Sequence, residues 1–122
     1  TAIPPNVEVI PFIAQNALLD YYQRAAVYCQ PSYTEGLPNS LCEAMLCECV
    51  PVGSNVGGIP TAIAGIGYVV PYGDVPAFTR AIRRALDAPP GTGSRGREHI
   101  ARTFTLDRRE AALRHIVDEA SR

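Results

Sequence analysis

The stretch that decides the fold is residues 26–43, which read AVYCQPSYTEGLPNSLCE. It begins with an almost unbroken apolar run at residues 26–30, which is typical of a strand buried on both faces of a parallel sheet. Gly36 and Pro38 then mark a turn, and a helix is predicted over residues 40–48. A buried strand that leads through a turn into a helix is the repeating unit of α/β proteins.

The same alternation extends along the whole chain. Further strands are predicted at residues 6–10, 51–55 and 67–70, and further helices at residues 17–26, 60–65, 75–88, 95–103 and 107–120. The connections between strands are too long for hairpins, so the sequence predicts an α/β protein with an open parallel, Rossmann-like sheet and helices on both faces. Such a sheet usually has about five or six strands, and this pattern contains fewer.

Polar residues predict where three of the helices begin. Asn16 is a predicted N-cap of the first helix, and Asp74 is a predicted N-cap of the helix over residues 75–88. Asp107 and Glu110 have the three-residue spacing of a capping box at the start of the last helix.

Composition indicates one folded domain. The chain of 122 residues is too short for two typical domains, and its 47% of hydrophobic residues favours a globular protein over a disordered one. No apolar run approaches the ~20 residues that span a bilayer, and residues 1–20 lack the basic start of a signal peptide. The four cysteines match no standard zinc spacing, so we expect a reduced, intracellular protein without a metal.

Charge is unevenly distributed. Residues 1–70 contain one Arg and five acids, whereas residues 71–122 contain ten Arg and seven acids. A basic half could contact nucleic acid or an anionic membrane, but here the Arg residues alternate with acids at helical spacing. This pattern favours a solvated helix surface over a nucleic-acid site.

The turn after the first buried strand carries the chemistry. In open α/β sheets, ligands bind beyond the carboxyl ends of the strands, and Glu35 and Glu43 fall there. The helix that begins between them offers unpaired N–H groups and a dipole that attract phosphate. Gly36 lets the backbone approach a ligand, because it has no Cβ. Two carboxylates beside an anion-binding helix start suit a sugar–diphosphate–ribose ligand.

Simpler interpretations of the two acids stay open on spacing alone. Ser40 and Glu43 have capping-box spacing, so Glu43 could serve only to hold the helix start. Glu35 could be a solvated acid in a turn. The residues by themselves therefore predict a phosphate-binding α/β domain and nothing more specific.

Spaced motifs occur in a fixed order along the chain. They are residues 6–12, Leu19-x-Tyr21-Tyr22, Pro31-Ser32-x-x-Glu35-Gly36-Leu37-Pro38-Asn39-Ser40-Leu41-Cys42-Glu43-Ala44-Met45, Pro51-Val52 and Gly57-Gly58-Ile59-Pro60. Together they resemble the C-terminal, donor-binding half of family 4 retaining glycosyltransferases of the GT-B fold. The two glutamates correspond to the E-x7-E motif of that family.

The resemblance implies a role for each residue of the turn. Glu35 would be the catalytic residue, contacting hydroxyls of the donor sugar, and Glu43 would bind the ribose of the nucleotide. Further donor contacts, including amides that hold the diphosphate, would come from Gly36, Leu37, Asn39, Ser40 and Leu41. The loop near the base would be Ile10, Pro11 and Phe12. No metal or other cofactor is implied.

The resemblance also implies an activity and its partners. A sugar would be transferred from a UDP-, GDP- or ADP-sugar to a glycan, lipid or small-molecule acceptor with retention of configuration. The expected location is the cytosol, with peripheral contact at the inner membrane face as a further expectation.

Residues 1–122 are expected to form only part of the nucleotide-sugar-binding domain. The family takes an Arg/Lys pair from the first strand–helix units of this domain, and those units and the N-terminal domain would belong to the parent protein. The isolated chain is therefore expected to be inactive.

Two other classes compete with this interpretation. The chain could be a non-catalytic Rossmann-like domain that serves binding or assembly. A phosphorylase-like enzyme is disfavoured, because a chain without Lys cannot bind pyridoxal phosphate through one.

Overall fold

The computed structural model describes residues 3–34, 36 and 38–104 of the chain. Helices and strands alternate, in the order α1 (Gln15–Arg24), β1 (Val27–Gln30), α2 (Asn39–Leu46), β2 (Val50–Ser54), α3 (Ile59–Ile63), β3 (Tyr68–Val70), α4 (Val75–Leu86) and α5 (Thr92–Thr103). None of these helices combines the length and the apolar character that crossing a membrane requires.

The strands form one parallel sheet in the order β1-β2-β3. Val27 of β1 is in register with Val50 of β2, and Val52 of β2 is in register with Tyr68 of β3. Every residue of the central strand β2 is buried. The predicted open parallel α/β sheet is therefore confirmed.

Helices cover both faces of the sheet. On one face, Ala81 and Ala85 of α4 pack against the buried valines of β2 and β3, which are Val50, Val52 and Val70. On the other face, a second cluster joins α2, α3 and α5 through Leu41, Cys42, Met45, Ile59, Ala62, Ile63 and Ile100. Helix α3 lies close to β2 on this second face, since a Cβ added at Gly53 would lie 2.5 Å from Cγ2 of Ile59.

Helix α1 packs against the outer side of α2. Tyr22 is buried there beside Ala44 and Cys49, and its ring makes an edge contact with Tyr28 of β1 at 5.7 Å between centroids. This small cluster fixes α1 relative to the strand and helix that flank the predicted site.

The predicted strand at residues 6–10 is wrong. The Val7 N–H donates to the Pro4 carbonyl at 3.0 Å in a turn, and Val7 and Val9 are exposed. A strand needs a neighbour for its backbone groups. In the described part of the chain, β1, β2 and β3 pair only with one another.

The predicted helix starts have different outcomes. Asp74 is the N-cap of α4, and its carboxylate accepts from the Ala77 N–H at 2.9 Å, as predicted. The cap predicted at Asn16 is wrong: α1 begins at Gln15, so Asn16 lies inside the helix and its Oδ1 accepts from the adjacent Ala17 N–H. Helix α5 begins at Thr92, three residues before the predicted start. The last predicted helix, with Asp107 and Glu110, lies outside the described residues.

Candidate functional site

Helix α2 begins where the turn after β1 ends. Its N-cap is Pro38, and the Cys42 N–H makes the first intrahelical bond, to the Pro38 carbonyl at 3.3 Å. Helix geometry leaves the N–H groups of the first turn without intrahelical acceptors. Pro38 has no side-chain acceptor, and no side-chain cap is formed at this helix start by the residues that the structure describes. The positive end of the helix dipole therefore faces the carboxyl edge of the sheet without a cap.

The capping-box interpretation of Ser40 and Glu43 is wrong. Pro38 takes the N-cap position, so Ser40 is the second residue of the helix. The Ser40 hydroxyl lies 3.0 Å from the Tyr28 hydroxyl and 3.3 Å from Oε1 of Gln30, and Glu43 is bonded to a residue of another helix. The two residues are thus used for contacts with neighbouring elements.

A polar network ties the first turn of α2 to the ends of two strands. Gln30, the last residue of β1, accepts from the Tyr28 hydroxyl through Oε1 and donates through Nε2 to Ser32 Oγ at 2.7 Å. Ser54, at the end of β2, is fully buried and donates to the Ser32 carbonyl at 2.7 Å. Together with the Ser40 contacts, these bonds fix the helix start relative to the sheet.

Glu43 is oriented by α1. The Gln15 amide donates from Nε2 to Oε1 of Glu43 at 2.6 Å, and the Glu43 side chain is half-buried. Burial raises the pKa of Tyr22 to about 12, with the charges of Tyr28 and Glu43 acting in the same direction. The Glu43 carboxylate therefore lies close to Tyr22, where α1 packs against α2.

The other residues predicted in the turn lie in different environments. Asn39 is exposed, whereas Leu41 is fully buried, so only the backbone amide of Leu41 is suited to contact a ligand. Gly36 is exposed with open space around its Cα, and its carbonyl accepts from the Gly58 N–H at 2.7 Å. Glu35 and Leu37 lie outside the described residues, and their predicted roles stay predictions.

The predicted base loop lines an apolar groove. Ile10, Pro11 and Phe12 surround a cavity of about 310 Å³ with Ile13, Leu18 and Tyr21, and the Phe12 ring is fully exposed. Phe12 is three residues before Gln15, so the Cα atoms of the two residues are at most about 11 Å apart. Because Gln15 contacts Glu43, the structure brings this groove near the half-buried carboxylate.

Gln15, Tyr28 and Gln30 were missed by sequence reasoning. Gln30 had a usable signal, since a polar residue that ends an otherwise apolar strand lies at the ligand edge of a parallel sheet. Gln15 had none, because its partner Glu43 is 28 residues away in sequence.

The described residues offer no metal centre of ordinary composition. No group of three or more His, Cys, Asp or Glu residues among them could hold an ion, and Cys29, Cys42, Cys47 and Cys49 form no disulfide with one another. Burial raises the pKa of Cys29, and raises that of Cys49 to about 11, which favours the neutral thiol over the nucleophilic thiolate.

Comparison with known families gives one match over most of the chain. The model of the family described as "Glycosyl transferases group 1" matches residues 1–88. The matched region contains the α2 start, Glu43, Gln15 and the apolar groove.

Curated relatives carry glycosyltransferase names. A "D-inositol 3-phosphate glycosyltransferase" of Streptomyces bingchenggensis is 33% identical over 117 residues, which is 92% of this chain and 26% of the relative. A protein of the same name from Mycolicibacterium smegmatis is 32% identical over 105 residues, 84% of this chain and 24% of the relative. The chain thus spans about a quarter of the length of these relatives.

A solved structure has the same fold. A sucrose-phosphate synthase from Thermosynechococcus elongatus superposes with a TM-score of 0.77 at 29% sequence identity. The superposition covers 91% of this chain and 30% of that protein. The three-stranded sheet with its helices therefore matches one Rossmann-like half of a GT-B architecture.

Proposed function

This chain belongs to the glycosyl transferases group 1 family, and we propose that it supplies the sugar-donor site of its parent enzyme. The parent transfers a hexose from a nucleoside-diphosphate sugar to an acceptor with retention of configuration. The observation that carries the proposal is the uncapped start of α2 with Glu43 one turn into the helix, at the carboxyl end of β1.

The diphosphate binds at the start of α2. The amides of Asn39, Ser40 and Leu41 precede the first intrahelical bond, and phosphate oxygens are the acceptors that such groups favour. The Ser40 hydroxyl is occupied by Tyr28 and Gln30, so Ser40 contributes its backbone amide.

The hydroxyls of the ligand bind to the two carboxylates. Glu43 takes the ribose, since a carboxylate accepts from two vicinal hydroxyls and only one of its oxygens is engaged by Gln15. Glu35 takes the donor sugar as the catalytic residue, by its resemblance to the first glutamate of the family motif. Gly36, which has open space around its Cα, and Leu37 complete the donor contacts.

The base binds in the apolar groove at Ile10, Pro11 and Phe12. An exposed aromatic ring beside a groove offers a surface on which a base can stack. The groove borders α1, whose first residue Gln15 contacts Glu43, and this continuity supports a base position next to the ribose position.

Catalysis depends on charge at the diphosphate. The bond between the anomeric carbon and the β-phosphate oxygen breaks, and the leaving nucleoside diphosphate gains negative charge. Preorganised amides and the α2 dipole offset that charge without a metal ion, and cationic side chains elsewhere in the parent add to them. The acceptor hydroxyl oxygen forms the new glycosidic bond to the anomeric carbon, and its proton passes to the leaving β-phosphate oxygen, so the products are the glycoside and the nucleoside diphosphate.

The acceptor is a glycan, a lipid or a small molecule, and it contacts the parent's other GT-B domain. The names of the Streptomyces and Mycolicibacterium relatives make inositol 3-phosphate the first acceptor to test. We place the enzyme in the cytosol, with peripheral contact at the inner membrane face.

The test uses the parent protein. UDP-, GDP- and ADP-glucose are screened by thermal shift, and one of the three is expected to raise the melting temperature. With that donor, Glu35→Ala abolishes sugar transfer and leaves the melting temperature of the free protein unchanged. Full turnover by Glu35→Ala would refute the catalytic assignment.

The non-catalytic alternative makes the opposite prediction. A binding or assembly domain would show no melting shift with any of the three donors and no transfer to inositol 3-phosphate or other acceptors. Retention is checked separately, by the anomeric configuration of the product in NMR spectra.

A further inference from the structure

Gln15 and Glu43 form a contact that joins two helices. Gln15 is the first residue of α1, and Glu43 lies in the middle of α2. The 2.6 Å separation joins Nε2 of Gln15 to Oε1 of Glu43. Because an ionised carboxylate can only accept, the Gln15 amide group must be oriented with its NH₂ toward Glu43.

We propose that Gln15 is a positioning residue for the ribose-binding carboxylate. It holds Glu43 in one orientation through Oε1 and leaves Oε2 directed at the ligand's 2′- and 3′-hydroxyls. The inference rests on the proposed function, since it needs a nucleotide at the start of α2.

The physical advantage is preorganisation. A Glu side chain that is free in solution loses rotamer freedom when it binds a ligand, and this loss opposes binding. Gln15 immobilises Glu43 before the nucleotide binds, so part of this rotamer freedom is lost on folding instead of on binding. A neutral amide does so without neutralising the carboxylate, which keeps both lone pairs of Oε2 strong acceptors.

The groups around Glu43 are suited to this role. Tyr22 of α1 lies close enough to interact with its charge, and Cys47 follows it on α2. The pKa of Tyr22 is raised to about 12, and burial also raises the pKa of Cys47. Both groups therefore stay protonated and neutral between pH 5 and about 8, so they place no second negative charge beside the Glu43 carboxylate.

The decisive variants change the donor of the contact. Gln15→Met keeps the length of the side chain but has no N–H group. Gln15→Glu places a second carboxylate opposite Glu43, and such a pair repels unless it shares a proton. Gln23→Glu is the matched control, since Gln23 is exposed on the same helix and about 12 Å further along it.

The experiment measures the dissociation constants of nucleoside diphosphates by calorimetry in the parent protein. UDP, GDP and ADP are tested first, and the one that binds is compared with its 2′,3′-dideoxy analogue. Gln15→Met is expected to weaken the ribonucleotide roughly fivefold and to leave the dideoxy analogue unchanged. Gln15→Glu is expected to weaken binding of the ribonucleotide further at pH 8, and binding recovers at pH 5. Gln23→Glu shows neither effect.

Three results would overturn the proposal in distinguishable ways. Equal weakening of both nucleotides by Gln15→Met would mean that Gln15 only supports the fold. Unchanged binding of the ribonucleotide in both Gln15 variants would remove Gln15 from the site and leave the proposed function standing. No binding of UDP, GDP or ADP to the unmodified protein would end the proposed function, and this inference with it.

Discussion

Two helices of this protein begin in opposite ways. Helix α4 begins behind Asp74, whose carboxylate accepts from the Ala77 N–H at 2.9 Å and satisfies the helix start from within. Helix α2 begins behind Pro38, which can offer no side-chain acceptor. Both starts lie at the carboxyl edge of the same sheet, after β3 and β1 respectively.

The difference separates a structural helix start from one that is available to a ligand. An N-terminus that carries its own carboxylate already has a negative partner for its dipole. The start of α2 instead has a network of Tyr28, Gln30 and Ser40 that fixes its position without occupying its amides. Under the proposed function, the protein fixes the position of the helix start and the phosphates of the donor supply the anion.

The largest effect should come from removing Glu43. Glu43→Ala in the parent is expected to weaken nucleoside-diphosphate binding roughly 10- to 100-fold, because hydrogen bonds from the ribose hydroxyls to a charged group are lost. Isothermal calorimetry measures this. Asp74→Ala is the matched control and should leave binding unchanged; equal losses in the two variants would erase the contrast between the helices.

A smaller effect should follow when a cap is added to α2. Pro38→Ser supplies an oxygen that can accept from the first-turn amides, in competition with phosphate. We expect the dissociation constant of the nucleoside diphosphate to increase by roughly threefold to tenfold. Pro38→Ala also lacks the ring but adds no acceptor, so its affinity should stay close to that of the unmodified protein. If Ala weakens binding as much as Ser, the loss comes from the turn and not from capping.

Removing the cap of α4 should change stability alone. Asp74→Ala is expected to lower the free energy of unfolding by about 1 kcal/mol, the usual contribution of an N-cap. Chemical denaturation of the chain measures it, and Asp74→Ser should restore most of the loss. A stability that does not change on Asp74→Ala would show that the cap contact seen here contributes nothing.

The smallest effect at neutral pH is expected for Tyr22, the residue of α1 that packs against α2. The pKa of Tyr22 is raised from 10.0 to about 12 in the folded protein, mainly by burial. The unfolded chain therefore loses the Tyr22 proton at a lower pH than the folded protein does. The contribution of Tyr22 to the free energy of unfolding is fully present below pH 10 and is lost as the pH rises from 10 toward 12. Tyr22→Phe should reduce that decline in melting curves recorded from pH 8 to about 11.5. Parallel curves for the two proteins would contradict the assignment.

Local features were predictable from sequence, and Asp74 shows why. A cap needs only the three residues that follow it, so the pattern contains all the information. The apolar periods of β1, β2 and α4 were equally local, and these elements were predicted within about two residues.

Features that depend on distant partners were not predictable. Residues 6–10 have a strand pattern, but a strand forms only beside a neighbour, and none pairs with them in the described part of the chain. Ser40 and Glu43 have capping-box spacing, but Tyr28 and Gln15, 12 and 28 residues away in sequence, hold them instead. Topology predicts where the candidate site lies, whereas the contacts that orient Ser40 and Glu43 could not be predicted from it.

The most direct test compares the two helix starts in one titration. The amide resonances of Asn39, Ser40, Leu41 and Ala77 are followed by ¹H–¹⁵N NMR in the parent protein while the nucleoside diphosphate that binds is added. The account predicts large shifts for the three α2 amides and none for the capped Ala77 amide of α4. Saturable binding with no shift at Asn39, Ser40 and Leu41 would contradict the claim that the start of α2 holds the diphosphate.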